Sequence, residues 1–273
     1  MELKEKAMFQ RMMSSLLGAK QQLAGDRVLR ASVALVAFIA VPVLSAGLNG
    51  TGIDFCSNDT SNYVACASVA GDNGSNPRQN GRLGRDAQAS AGQLTKIGGG
   101  DAGFDYSKIA DNGRVLNANA PNWPCTRDNV TGLIWEVKTL SGLHSQYDTY
   151  NWYSSDSTSN GGATGIASLG SCYTGGCDTE KFVAAVNFAG LCGANDWRMP
   201  TVKELQGVAD YGMGTPAIDP DYFPNTPTTK PFWTSTASTD DVYHAWTVDF
   251  LDGRARTYGR YLPVYVRLVR GGS

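Results

Sequence analysis

The sequence predicts an α+β domain, and three observations carry the prediction. The last third of the chain alternates apolar and polar residues with the period of strands. Two short stretches before it place apolar residues at helical spacing. Six cysteines are spread over the loop-rich remainder.

The strand patterns come first. "FWTSTA" (Phe232–Ala237), "HAWTVDF" (His244–Phe250) and "PVYVRLV" (Pro263–Val269) all alternate, which predicts an antiparallel C-terminal sheet. In the second, Trp246, Val248 and Phe250 share one face, and Thr247 and Asp249 share the other. In the third, Val264, Val266 and Leu268 point one way, and Tyr265, Arg267 and Val269 the other. Asp252-Gly253 marks a tight turn between them. Upstream, "TGLIWEVKT" (Thr131–Thr139) reads as a further strand with an apolar centre.

Two short helices are expected between these strands. In "CDTEKFVAAVNFAGLCG", Asp178 is placed to cap, Phe182, Val183, Val186 and Ala189 form one face, and Gly190 can end the helix. In "PTVKELQGVADYG", Thr201 and Glu204 have capping-box spacing, Leu205, Val208 and Ala209 face the core, and Gly212 ends it.

The cysteines are Cys56, Cys66, Cys125, Cys172, Cys177 and Cys192, all downstream of the N-terminal apolar run. An even set with no CxxC pair and only His144 and His244 beside it points to disulfides rather than zinc. Close spacing suggests Cys56–Cys66 and Cys172–Cys177 as local staples. Elimination then leaves Cys125–Cys192, one choice among the 15 pairings that six cysteines allow.

The N-terminus predicts export. A basic leader over 1–30 (Lys4, Lys6, Arg11, Lys20, Arg27, Arg30) precedes the apolar run 31–48, "ASVALVAFIAVPVLSAGL". A run of eighteen residues also suffices for an uncleaved signal anchor, while Pro42 and "LSAG" favour cleavage near Ala46. Residues 49–122 are rich in Gly, Asn and Ser and read as loops with short hairpins, or as a stalk. A more regular domain is expected over 123–273. The 273-residue chain has a net charge of −2, which gives no electrostatic reason to expect nucleic acid. Membrane association is expected only through 31–48, if that run stays uncleaved.

Chemistry-bearing clusters are sparse. Asp54, Asp59, Asp72, Asp101, Asp105 and Asp111 lack calcium-loop spacing and read as solvated loop carboxylates, so no metal site is expected. Neither histidine sits in a nucleophile motif, and "GGG" at 98–100 lacks the Lys-Ser/Thr of a phosphate loop. Tyr150, Trp152 and Tyr153 are candidates for sugar stacking or for core packing. No catalytic residue and no cofactor is assigned.

Several ordered motifs carry a resemblance. "CTRDNVTGLIWEVKT", "CDTEKFVAAVN", "LCGANDWRMPTVKEL", "PAIDPDYFPNTP", "FWTST", "AW-V-F" and "YVRLVRGG" closely resemble the Lcl C-terminal domain family of bacterial surface proteins. The match runs from about Cys125 to Ser273, with a looser one reaching back to "GRLGRDAQ". The resemblance implies a C-type-lectin-like fold and an exported protein, in the periplasm or at the cell surface, that binds through its C-terminal loops and strands without fixing the ligand. Some relatives are variable proteins of diversity-generating retroelements, in which randomised adenines of Asn codons cannot yield Lys, Glu, Gln, Met or Trp. After Lys230, the remaining 43 residues contain no Lys, Glu, Gln or Met, and their tryptophans belong to the family motifs.

These observations nominate a recognition surface at about 237–265. Its candidate contacts are Val242, Tyr243, His244, Thr247, Asp249, Leu251, Asp252, Arg254, Arg256, Thr257, Tyr258, Tyr261 and Leu262. Tyr and Arg are the expected anchors, and packing and contact residues are expected on separate faces of the strand. Arg267 and Arg270 are expected to make structural hydrogen bonds. The expected partner is a protein or glycan on another cell, phage or host surface. Two alternatives stand beside this reading: a fixed adhesin of the same fold, and an enzyme related to formylglycine-generating oxidases, which would need reactive cysteines.

Overall fold

A computed structural model describes residues 47–69, 79–173 and 175–271. The basic leader, Asp72 and nearly all of the 31–48 run lie outside the described residues. Among the described residues, no helix is long and apolar enough to cross a membrane.

The architecture is α+β, with two antiparallel sheets and short helices. The first sheet has the order β1-β2-β3-β7: Tyr106–Ile109, Cys125–Asp128, Ile134–Glu136 and Val269–Arg270. The second has the order β4-β5-β6: Phe232–Ala237, His244–Asp249 and Arg254–Gly259. Helix α1 is Gly84–Ser90, α2 is Thr179–Ala189 and α3 is Val202–Gln206.

The segment 263–269 is not the continuous strand that its alternation predicts. It threads between the sheets, bridging Tyr150 at Val264 and Phe232 at Tyr265 before pairing with β3 as β7. Its alternation is nonetheless used in full. Val264, Val266 and Leu268 enter a core with Trp152, Phe182, Val186, Trp197 and Trp233. Tyr265 and Val269 enter a second core with Phe104, Tyr106, Phe223, Phe232 and Phe250. A strand covered on both sides needs side chains for two interiors, and this one supplies them.

Arg267 points into the second core and is fully buried. Its guanidinium carbon lies 4.9 Å from the Phe223 ring centroid, and Nη2 donates to Thr226 Oγ1 at 2.7 Å. Arg270 Nε donates to Asp196 Oδ1 at 2.6 Å. Both arginines are structural, as expected.

Helix α2 forms where predicted. Asp178 accepts from the Lys181 N–H at 2.9 Å, and Gly190 closes the helix at φ +70°. Phe182 and Val186 are buried, but Ala189 is exposed because the helix ends before that stripe reaches the core again. Helix α3 has the full capping box between Thr201 and Glu204. It stops at Gly207, not Gly212. Asp210 Oδ1 accepts from the Gly212 and Met213 N–H groups, a side-chain turn that competes with further helix. Leu205, Val208 and Ala209 are all buried even so.

The described residues between 47 and 122 are loop-rich and built into this body rather than standing off as a stalk. Phe104 and Tyr106 are core residues, and β1 is an edge of the first sheet. Asp86, buried in α1, accepts from the Thr51 and Gly103 N–H groups at 2.7 and 2.9 Å. Asn49 donates to Asp128 Oδ2 at 2.6 Å, and the Tyr211 N–H donates to the Thr51 carbonyl at 2.8 Å. The disulfides are Cys56–Cys66, Cys125–Cys192 and Cys172–Cys177, spanning 10, 67 and 5 residues. They fit an oxidising extracellular or periplasmic setting.

Candidate recognition surface

The nominated residues sit on the β5–β6 hairpin and its flanks, and the structure divides them by strand. β5 is the middle strand of its sheet, in register with β4 (Trp233 opposite Thr247) and β6 (Arg256 opposite Thr247). It is covered on both faces. Val248 and Phe250 belong to one core and Ala245 to the other. Thr247, expected on a free face, is 1% exposed, and its hydroxyl donates to the Arg256 carbonyl at 3.0 Å. Asp249 is half-buried and accepts from the Leu251 N–H. Trp246, expected in the core, is only half-buried. Two-residue alternation tells which residues share a face, but not whether a further layer covers the other face.

The free surface belongs to the edge strand β6 and to the two ends of the hairpin. Arg254, Arg256 and Thr257 are exposed, while Tyr258 is half-buried and packs against the core. At the turn end, Gly253 adopts φ +76°, Leu251 is exposed, and Asp252 lies 3.1 Å from Arg254 Nε and 3.7 Å from Arg256 Nη2. The Tyr211 hydroxyl donates to the Gly253 carbonyl at 3.0 Å and holds the turn from below. Solvent-exposed pairs of this kind add little stability.

At the open end, Val242, Tyr243 and Tyr261 are exposed, His244 and Leu262 half-buried. His244 Nδ1 lies 2.7 Å from Asp241 Oδ2. Val242, Tyr243 and Tyr261 face the turn 162–166 across a cleft of about 500 Å³, with Ile166 and Arg260 also in its lining. Arg260 and Ile166 escaped the sequence reading. Ile166 lies in a polar stretch far from the hairpin in sequence, and Arg260 looks like any other arginine of the variable-looking run.

Other candidates resolve into structure. Tyr150 and Trp152 are core residues, with the Trp152 indole donating to the Thr234 carbonyl at 2.9 Å, so neither ring face is free for a sugar. Tyr153 is half-buried. His144 Nδ1 lies 2.9 Å from Glu136 Oε1, beside the fully buried pair Glu136–Lys138 at 2.8 Å. Burial raises the Glu136 pKa, but Lys138 and His144 outweigh it and hold the carboxyl at about 2. Lys138 is pushed down by its burial, which its single carboxylate partner offsets only in part. The scattered acids do not converge, and among the described residues no group of three potential metal ligands forms. Asp105 differs from the expected solvated carboxylate. It is buried and accepts from the Ile97 and Gly98 N–H groups, both at 2.8 Å.

The Lcl C-terminal domain family model matches residues 124–270. The chain belongs to that family. Neither the curated proteins nor the solved structures provide a match. Within the Lcl C-terminal domain fall both sheets except β1, helices α2 and α3, the Cys125–Cys192 and Cys172–Cys177 bonds, and every residue of the hairpin and its cleft.

Proposed function

We propose that this Lcl C-terminal domain protein is an exported, non-catalytic binding protein with a C-type-lectin-like fold, and that β6 and the two ends of the β5–β6 hairpin form its recognition surface. One observation carries the reading. Exposed large or charged side chains (Val242, Tyr243, Leu251, Arg254, Arg256, Tyr261) are mounted on a hairpin whose inner strand is anchored by the fully buried Ala245, Thr247 and Val248. A rigid frame with adaptable side chains at its rim suits recognition, because little ordering entropy is lost on binding. The bonding of Cys172, Cys177 and Cys192 in disulfides supports a structural role for them over oxidase chemistry.

Diversification of this surface is part of the proposal, with Thr247 removed from the variable set. A fixed adhesin is favoured at that one position, since most replacements there would disturb the sheet. Nucleotide sequence tests the point. A template repeat beside a reverse-transcriptase gene should differ from this 3′ end only at adenines, within codons such as those of Arg254, Arg256, Thr257 and Tyr261. Absence of such a repeat makes the surface a fixed one.

Binding itself is tested by screening the purified chain against cell-surface proteins and glycans. For a hit, Tyr243→Ala and Tyr261→Ala should each weaken affinity by about 1–4 kcal/mol while thermal stability holds. Unchanged affinity in both variants would remove the hairpin from the contact.

A further inference from the structure

The C-terminal sheet ends in an open edge. β5 and β6 run antiparallel with Thr247 opposite Arg256, and just past the strand ends the Arg260 N–H donates to the Tyr243 carbonyl at 2.9 Å. In an antiparallel ladder, residues that bond to one neighbour alternate with residues whose backbone groups face the other way. Arg256 and Tyr258 therefore face β5, as Arg260 does. The N–H and C=O groups of Ala255 and Thr257 point outward. β6 is the last strand of its sheet, and among the described residues these outward groups have no hydrogen-bond partner. Ala255 is half-buried and Thr257 exposed, so solvent reaches the row.

The other sheet edges are closed. Along β4, Trp233 and Ser235 donate to the Tyr265 and Pro200 carbonyls at 2.9 and 2.7 Å. β1 is bridged by Gly99, and its Lys108 carbonyl accepts from Leu116. Val269 of β7 exchanges bonds with Arg198. A row of uncovered backbone groups, such as β6 presents, is a template for one more strand.

The side chains say what that strand carries. Arg254, Arg256 and Tyr258 alternate onto one face of β6, and both arginines are exposed. Their guanidinium groups share a single carboxylate oxygen, Asp252 Oδ2, at 3.1 and 3.7 Å. Asp249, opposite Arg254 on β5, makes no ion pair with either among the described residues and accepts from the Leu251 N–H. A strand laid antiparallel on β6 sets its residues opposite Arg256 and Arg254 on that same face, two positions apart. Charge complementarity calls for Asp or Glu at both, and for an aromatic or β-branched residue opposite Tyr258.

We propose that β6 is a docking edge for an extended acidic segment of a partner protein. The segment adds as a fourth strand, bonds to the N–H and C=O groups of Ala255 and Thr257, and sets two carboxylates beside Arg256 and Arg254. The inference deepens the proposed recognition surface and rests on it, giving β6 its mode of contact.

The test titrates the full chain with an acetylated, amidated peptide, Thr-Tyr-Thr-Glu-Val-Glu-Thr, and follows affinity together with amide hydrogen exchange. Binding should slow exchange at Ala255 and Thr257 and leave Arg256 and Tyr258, already bonded to β5, unchanged. Replacing both Glu by Gln should weaken affinity about fivefold at low salt. N-methylation of the Val and of the Thr between Tyr and Glu keeps the charges and removes the donors to β6. It should weaken affinity by more than about tenfold. Thr257→Pro removes one outward N–H without touching a bond to β5 and should abolish binding. Should that variant not fold, the N-methylated peptide carries the same test on the parent chain.

No binding, equal affinity of either modified peptide, or unchanged exchange at Ala255 and Thr257 overturns the proposal and leaves the arginines as guards against edge pairing. An oligogalacturonate that binds as tightly as the peptide overturns it in favour of a polyanion site. Protection of the same amides in a peptide-free dimer overturns it in favour of a second copy of this chain. None of those results touches the wider hairpin reading, which stands or falls on the Tyr243 and Tyr261 variants against a surface partner.

Discussion

Thr247 donates its hydroxyl hydrogen to the Arg256 carbonyl at 3.0 Å, directly opposite it in the β5–β6 register. That bond ties the side chain of the covered strand to the backbone of the exposed one. Thr247→Val keeps the shape and loses the bond, so it should cost about 1 kcal/mol in urea unfolding. Arg256→Ala, which changes only an exposed side chain, should stay within about 0.5 kcal/mol of the parent. The reverse order would place the free surface on β5 after all.

The buried Glu136–Lys138 pair should behave differently. Glu136 collects donors from Lys138, His144 and the Leu268 N–H, and its pKa falls to about 2 from an ordinary 4.5. A depressed carboxyl contributes stability that is present above about pH 4.5 and is lost as pH falls towards 2. Glu136→Gln should flatten the pH dependence of stability in that window. At pH 7 it should cost about 3–5 kcal/mol by leaving Lys138 unpaired.

Asp210 has the opposite sign. Its side chain is buried and Oδ2 has no partner, and burial pushes its pKa up to about 6 against the N–H bonds from Gly212 and Met213. A raised carboxyl contributes stability below its unfolded value that is lost as pH rises through about 6. Asp210→Asn keeps an acceptor for both N–H groups. It should raise the melting temperature at pH 7.5 and leave it unchanged at pH 3.5, as measured by calorimetry.

The disulfides should rank by loop length. Replacing Cys125 and Cys192 by Ala reopens a loop of 67 residues and should cost roughly 4 kcal/mol on chain-entropy grounds, against roughly 2 kcal/mol for Cys172 and Cys177 with their separation of 5. Chemical denaturation of the two double variants checks the order.

Local chemistry was legible in the sequence wherever neighbours along the chain decide it. The caps at Asp178 and Thr201, the strands at 232–237 and 244–249, and the two short disulfides follow from residues within a few positions or from cysteine spacing, while Cys125–Cys192 follows only by elimination. What failed depends on the third dimension. Helix α1 has no side-chain cap at Leu83 and buries only Asp86, so it carries no apolar stripe to read. β6 looks arbitrary because an edge strand exposes most of its side chains. The burial of Thr247 and the orphaned Nη2 of Arg260 arise from contacts with β4 and with the 160–163 turn, 14 and about 100 positions away.

Asn49 and Thr51 have a consequence for the hairpin turn. They fasten the start of the described chain to Asp128 and to the backbone of Tyr211, whose own hydroxyl reaches Gly253. A cut between Thr51 and Gly52 would strip the Tyr211 N–H of a held acceptor and loosen the ledge on which the Gly253 carbonyl rests, so damage far upstream in the chain would be felt at the hairpin's closed tip.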